Sequence, residues 1–266
     1  MLKVRILTAL VVLPFFISAI LFLPTWAFLI FAEGLVLGCA WEWSALVGDQ
    51  SMFQRILYLL LVALASQGVL WLPMTMVRVI VVLFWLFAWL ALLCFASKIK
   101  LGLQFPSVRA LVGVLMLALF YFALVDLRAA SYGPKIIMMG FILIWLVDSG
   151  AYFFGRAFGH KKLMPSVSPN KTWVGVFGGV SVALMAVVLC ALIMQVAPSM
   201  WACYLSAALC VAIAAVVGDL FESLIKRLAE VKDSGTLLPG HGGLLDRFDS
   251  AFAALPVLLV IVHGCI

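Results

Sequence analysis

Charge is scarce in this chain. Of 266 residues only 11 % are Asp, Glu, Lys or Arg, while 67 % are hydrophobic. Soluble domains carry about a quarter charged and about half apolar residues, so a soluble domain is excluded. Short polar–apolar alternation is also missing. The apolar residues stand in long runs, which excludes the alternating ten-residue strands of a transmembrane barrel and leaves membrane-spanning helices. No Gly/Ser linker or internal repeat divides the chain, so residues 1–266 read as a single membrane domain. The six cysteines (Cys39, Cys94, Cys190, Cys203, Cys210, Cys265) lack metal-ligand spacing and lie in apolar runs. They are expected to be small hydrophobes rather than a disulfide frame.

What is present is a series of spans. A membrane helix needs about 20 apolar residues to cross a core about 30 Å thick. Such runs are expected near 6–23, 25–47, 56–72, 76–97, 109–125, 135–155, 173–196, 200–218 and 250–266. The fold class is therefore all-α, a polytopic transmembrane helical bundle of about nine spans (eight to ten). Lys3 and Arg5 before the first run imitate a signal peptide, but the run is too long for one and reads as the first span. With the N-terminus in the cytoplasm, only Arg78, Arg128 and Lys135 of the 17 basic residues fall outside, a strong positive-inside bias. The net charge of +6 is thus an orientation signal rather than a sign of nucleic-acid binding.

Six of the eleven acidic residues lie within 219–249: Asp219, Glu222, Glu230, Asp233, Asp246 and Asp249. Asp219, Glu222, Ser223, Lys226 and Arg227 follow a helical spacing and form one polar stripe. Asp246 and Asp249 stand three apart where the last span begins, a costly place for carboxylates unless paired or metal-bound. Pro239-Gly-His241-Gly242-Gly243 lies between, and its glycines allow backbone to approach a ligand closely. Convergence of Asp219 and Asp246 on a hard cation such as Mg²⁺, beside Lys226, Arg227, Lys232 and Arg247, is the equipment of phosphoryl and nucleotidyl transfer. An ion or anion transport site is the rival for the same residues.

A second polar group is expected on the same face. Asp148 sits in an apolar span about two turns from its cytoplasmic end, either as a functional group or as a structural partner for a buried cation. Ser168-Pro169-Asn170-Lys171-Thr172 follows, with Ser168 expected to cap a helix and Pro169 to occupy its first position. Such an N-terminus is a natural anion site, although the Walker A spacing is absent. Gly175, Gly178 and Gly179 are expected to serve helix packing. Trp41 and Trp43 around Glu42 read as interfacial belt residues, His160, Lys161 and Lys162 as a headgroup-facing basic patch, and His263 as inert. Glu33 has no explanation from the sequence.

The run Ser223-Leu-Ile-Lys226-Arg227 through Lys232-Asp233-Ser-Gly235, Pro239-Gly-His241-Gly242-Gly243 and Asp246-Arg247-Phe-Asp249 resembles the signature of the phosphatidate cytidylyltransferases, also called CDP-diacylglycerol synthases. Ala40-Trp-Glu-Trp43, Asp148-Ser-Gly-Ala-Tyr-Phe-Phe-Gly155 and Ser168-Pro-Asn-Lys-Thr172 resemble that family as well. The resemblance implies a Mg²⁺-dependent transfer of the cytidylyl group of CTP to phosphatidic acid, giving CDP-diacylglycerol and pyrophosphate in phospholipid biosynthesis. The compact chain is expected in a bacterial inner membrane, with a eukaryotic organelle as the alternative. The resemblance also implies a homodimer. On that reading Asp219, Asp246 and Asp249 hold the metal, and Lys226, Arg227 and Arg247 stabilise phosphate charge. Ser168, Asn170, Lys171 and Thr172 bind an anionic substrate. Asp148 completes the cavity, with a second, monovalent cation beside it, and Ser223, Lys232, Asp233, His241, Gly242 and Gly243 line it. Two other classes remain open on the residues: a CTP-dependent lipid kinase that transfers the γ-phosphate, and a transporter. The transporter reading would require inverted repeats, which are absent from the pattern.

Overall fold

The computed structural model describes residues 2–48, 51–99, 101–240 and 242–265, without the side chains of 2–7, 9 and 265. Expectations resting on the side chains of Lys3, Arg5, Lys100, His241 and Cys265 lie outside what is described.

Apolar composition and sparse turn residues produce the helices in order: α1 (Leu2–Phe22), α2 (Thr25–Val47), α3 (Met52–Val69), α4 (Met74–Ala96), α5 (Pro106–Ala129), α6 (Gly133–Phe158), α7 (Trp173–Ile193), α8 (Trp201–Leu228), α9 (Leu245–Phe248) and α10 (Ala251–Cys265). Among the described residues, α2 to α8 are each long and apolar enough to cross a membrane, and the chain is an integral membrane protein. α1 and α10 occupy the expected first and ninth spans. At 15 residues α10 is about 22 Å long, and α9 precedes it. The breaks have local causes. Pro24 stands just before α2 in an extended conformation, Ser51 and Gln54 form a reciprocal capping box at α3, and Pro106 opens α5.

α5 is the pillar of the bundle. It buries 72 % of its apolar window, against 22 % for α3, whose side chains face outward to lipid. Two arginines fix which helix ends meet there. At the start of α5, buried Arg109 donates to Val47 O at 3.0 Å, Gln104 O at 3.1 Å and Leu228 O at 3.5 Å. It thereby satisfies the terminal carbonyls of α2 and α8. At the other end of α5, Arg128 donates to Ile20 O and Leu23 O at the end of α1. The ends of α2 and α8 therefore lie with the start of α5, and the end of α1 with its finish.

α6 and α7 approach to backbone contact. A Cβ on Gly179 would stand 2.4 Å from Val147 O, and one on Gly150 would stand 2.9 Å from Gly179 Cα, so only glycine permits this crossing. Aromatic packing fixes the far side. Phe248 meets Phe16 at 5.3 Å, Phe141 at 6.0 Å and Phe120 at 6.2 Å between ring centroids, which anchors the short α9.

Three expectations change. Trp43 is fully buried, with Nε1 donating to Arg109 O at 2.9 Å, so it is a core residue rather than a belt residue. His263 Nε2 lies 2.5 Å from Asp126 Oδ2, and its carbonyl accepts from Arg78, tying α10 to α5 and α4. Cys203, near the start of α8, is disulfide-bonded, whereas Cys39, Cys94, Cys190 and Cys210 are free. Glu33 gains a partner: Gln67 Nε2 donates to it at 3.1 Å and to Tyr121 Oη at 3.2 Å.

Candidate active site

The polar residues collect where α6, α8 and α9 end, or begin, at the same extremity as the start of α5. After α6 the chain forms a two-stranded antiparallel hairpin, β1 (Lys162–Met164) and β2 (Ser168–Thr172), in place of the expected helix start. Ser168 therefore pairs with Met164, and Pro169 lies within the strand. The cap is Thr172, whose Oγ1 accepts from Gly175 N at 3.1 Å. Thr suits that position, and the strand needs Ser168 to Thr172 extended. Arg227 on α8 steadies the hairpin by donating Nε to Val167 O at 3.2 Å.

The hairpin delivers Lys171 to Asp219. Their charged atoms lie 2.5 Å apart, with a quarter of each side chain exposed. This contact joins the two polar segments, 148–172 and 219–249. Asp148 interacts with the charges of Asp219 and Lys171, and Asp249 with those of Asp219, Glu222 and Lys171. Ser223 Oγ donates to Asp219 Oδ1 at 3.4 Å, one turn on.

Asp246 is held elsewhere. Lys226 Nζ, on the next turn of α8, bridges Glu222 Oε2 at 2.6 Å and Asp246 Oδ1 at 2.7 Å. Ser234 N donates to Asp246 Oδ2 at 3.1 Å and Gly243 N to the same oxygen at 3.0 Å. Burial alone would raise the carboxyl of Asp246. The hydrogen bond and charge of Lys226, with the two backbone donors, hold it below the usual carboxylate range instead. Glu222 is fully buried, and its Oε1 has no hydrogen-bond partner.

A residue outside the expected site organises the loop. Glu42 of α2 is 3 % exposed. Its carboxylate accepts from Leu245 N at 2.8 Å, Leu237 N at 3.2 Å and Ser234 Oγ at 3.3 Å. Segment 234–245 thus wraps two carboxylates, Glu42 and Asp246. The glycines serve this wrapping. A Cβ on Gly235 would stand 2.3 Å from Glu42 Oε1, and one on Gly243 2.1 Å from Ser234 Oγ. Gly242 adopts φ +86°, and its carbonyl accepts from Leu238 N at 3.1 Å. The close approach expected for a ligand is made here to the protein's own acids. The sequence did hold a signal for Glu42, an ionisable residue within an apolar span.

The expected metal trio is not assembled as such. Among the described residues, no three Asp, Glu, His or Cys side chains are arranged to hold an ion. Asp246 already receives Lys226 and backbone N–H groups. Asp148 and Asp249 each feel the charges of Asp219 and of Lys171, the cation that pairs with Asp219. Carboxylates suit a hard divalent cation, which keeps waters and takes ligands from substrate phosphates, so one or two of them serve without an assembled trio. Asn170 is exposed on β2, Lys232 and Asp233 are exposed after α8, and Arg247 is exposed on α9.

The sequence compares closely with proteins of known name. The cytidylyltransferase family model matches residues 3–265. A phosphatidate cytidylyltransferase of Pseudomonas aeruginosa is 37 % identical over 265 residues, covering 98 % of this chain and 97 % of that protein. One of Haemophilus influenzae is 32 % identical over 96 % of each chain. One of Bacillus subtilis is 39 % identical over 66 % of each. With a match running nearly end to end, and with both polar segments meeting at one end of an apolar bundle, the chain belongs to the cytidylyltransferase family.

Proposed function

We propose that this protein transfers the cytidylyl group of CTP to phosphatidic acid, forming CDP-diacylglycerol and pyrophosphate. The Lys171–Asp219 contact carries the reading, because it unites the hairpin and the α8–α9 segment into one charged site at the end of a membrane bundle. The names of the relatives support the substrates.

A phosphatidate phosphate oxygen attacks the α-phosphorus of CTP, the α–β phosphoanhydride bond breaks, and pyrophosphate leaves with the electron pair. The attacking oxygen is already anionic, so no strong base is required. Asp219 and Asp249, with Asp148 beside them, would hold Mg²⁺, which supplies charge neutralisation on the nucleotide phosphates when bound. A monovalent cation near Asp148 belongs to the same proposal. Lys171 and Arg227 place positive charge on the hairpin side. Lys226 fixes Asp246 and shares its charge with buried Glu222. Glu42 and Asp246 hold the 234–245 segment in shape around the site.

The site is assigned to the cytoplasmic side of a bacterial inner membrane. The basic-residue bias supports this. So does the disulfide at Cys203, which lies at the end of α8 away from the charged site, where an oxidising compartment would preserve it. The homodimer belongs to the same proposal, and the mass of the cross-linked protein tests it. The activity itself is tested by pyrophosphate release from CTP by purified protein. Release that requires both phosphatidate and Mg²⁺, and falls at least about 100-fold in Asp219→Asn, supports the reading. Release independent of phosphatidate defeats it.

A further inference from the structure

Beside the charged site lies a groove of about 470 Å³, within the range of sites that take small molecules. α1, α2 and α6 form its walls, and Leu238, Leu244, Arg247 and Phe248 close one end. Apart from Thr8 and Arg247 its lining is apolar, including Phe16, Leu35, Phe141 and Trp145. Those two polar residues mark a rim. Thr8 Oγ1 donates to Pro239 O at 2.9 Å, and Arg247 stands on α9 between Asp246 and the groove-wall residue Phe248.

The groove runs along the helices, from the charged end into the membrane. On α1 it extends from Thr8 to Phe16, about 12 Å of helix. On α2 Leu35 lies two turns before Glu42, and on α6 Trp145 lies one turn before Asp148. The α2 and α6 walls therefore lead from the apolar interior toward a carboxylate, and the α1 wall toward Thr8 at the rim.

We propose that this groove receives an acyl chain of the phosphatidic acid substrate, with Arg247 at the rim facing its phosphate. The inference rests on the proposed cytidylyl transfer and adds where the lipid lies. Charge complementarity selects the occupant. An apolar channel that ends in a single guanidinium matches a lipid whose headgroup is a bare phosphate, the partner an Arg fork suits best. A chain moving from bilayer to groove exchanges one apolar environment for another, so little affinity is gained. The gain is positional: the phosphate is delivered next to Asp246 and Lys226 in a fixed orientation.

The test uses the full-length protein in nanodiscs, without CTP. Phosphatidate carrying a photoreactive group on one acyl chain is irradiated with the protein, in parallel with phosphatidylcholine carrying the same chain, and labelled peptides are mapped. Label from phosphatidate on α1, α2 and α6 around Phe16, Leu35 and Phe141, several-fold above that from phosphatidylcholine, supports the groove. Equal labelling by both lipids, or label confined to other helices, overturns it. Arg247→Gln is expected to erase the preference for phosphatidate; its persistence contradicts the rim assignment. Two groove-filling variants extend the test, Leu35→Trp in the buried wall and Leu13→Trp at a half-exposed position that tolerates bulk. Each is expected to lower the kcat/KM ratio of long-chain over short-chain phosphatidate about fivefold or more, and an unchanged ratio in both counts against the groove. If the protein makes no CDP-diacylglycerol at all, the reaction fails while the labelling still reports on the groove.

Discussion

Two carboxylates, buried Glu42 and part-buried Asp246, do more structural work than the spacing of acids suggests. Glu42 accepts three hydrogen bonds, from Ser234, Leu237 and Leu245, and among the described residues no cation pairs with it. Glu42→Gln would set an amide N–H against donors and leave a buried group unsatisfied, a loss of about 1–3 kcal/mol. The expected outcome is a rise in protease cleavage within 230–245 and a fall in activity of about tenfold or more, read by limited proteolysis beside the pyrophosphate assay. Asp246→Asn removes the charge facing Lys226 and leaves Lys226 paired with Glu222 alone. Activity is expected to fall at least about 100-fold with the fold retained by thermal denaturation. At this scale the sequence was partly legible. Asp219, Asp246 and Asp249 announced themselves by lying at a membrane boundary. The sharing of partners did not: Asp246 on α9 pairs with Lys226, while Asp249, just past the end of α9, accepts from Ser250 N.

Among the elements, the hairpin β1–β2 is what sequence periodicity overlooked. Ser168-Pro-Asn-Lys-Thr reads as a helix start by its residue types, yet pairing with Lys162–Met164 draws all five residues into a strand and moves the cap to Thr172. Three- and five-residue strands are too short to show alternation against a charged background. Thr172→Ala should cost about 1 kcal/mol through the lost cap, seen as a lower melting temperature. Gly175, Gly178 and Gly179 were read as packing residues, and the α6–α7 contact bears this out. Gly179→Val is expected to force α6 from α7 and lower the melting temperature more than Thr172→Ala, because the new side chain meets Val147 O rather than a flexible side chain.

For the whole molecule, long apolar runs made the fold legible. The expected spans and the helices agree within a turn or two, and α8 continues past its span to Leu228, as the helical spacing of its polar stripe requires. Its polar stripe lies on that extension and carries Asp219, Glu222 and Lys226 out to the site. Burial of α5 against exposure of α3 could not be read from composition, since both are apolar. The orientation predicts that cysteines placed at exposed Ser166 and Lys232 react with a membrane-impermeant maleimide only in inside-out vesicles. Reaction in right-side-out vesicles would reverse the topology.

The most direct test of cytidylyl transfer follows the label from CTP into lipid. Purified protein is given phosphatidate and Mg²⁺ with CTP labelled at either the α- or the γ-phosphorus. The account predicts label in a chloroform-soluble liponucleotide from α-labelled CTP alone, with γ-label released as pyrophosphate. Label in lipid from γ-labelled CTP, or in no lipid from either, would contradict it.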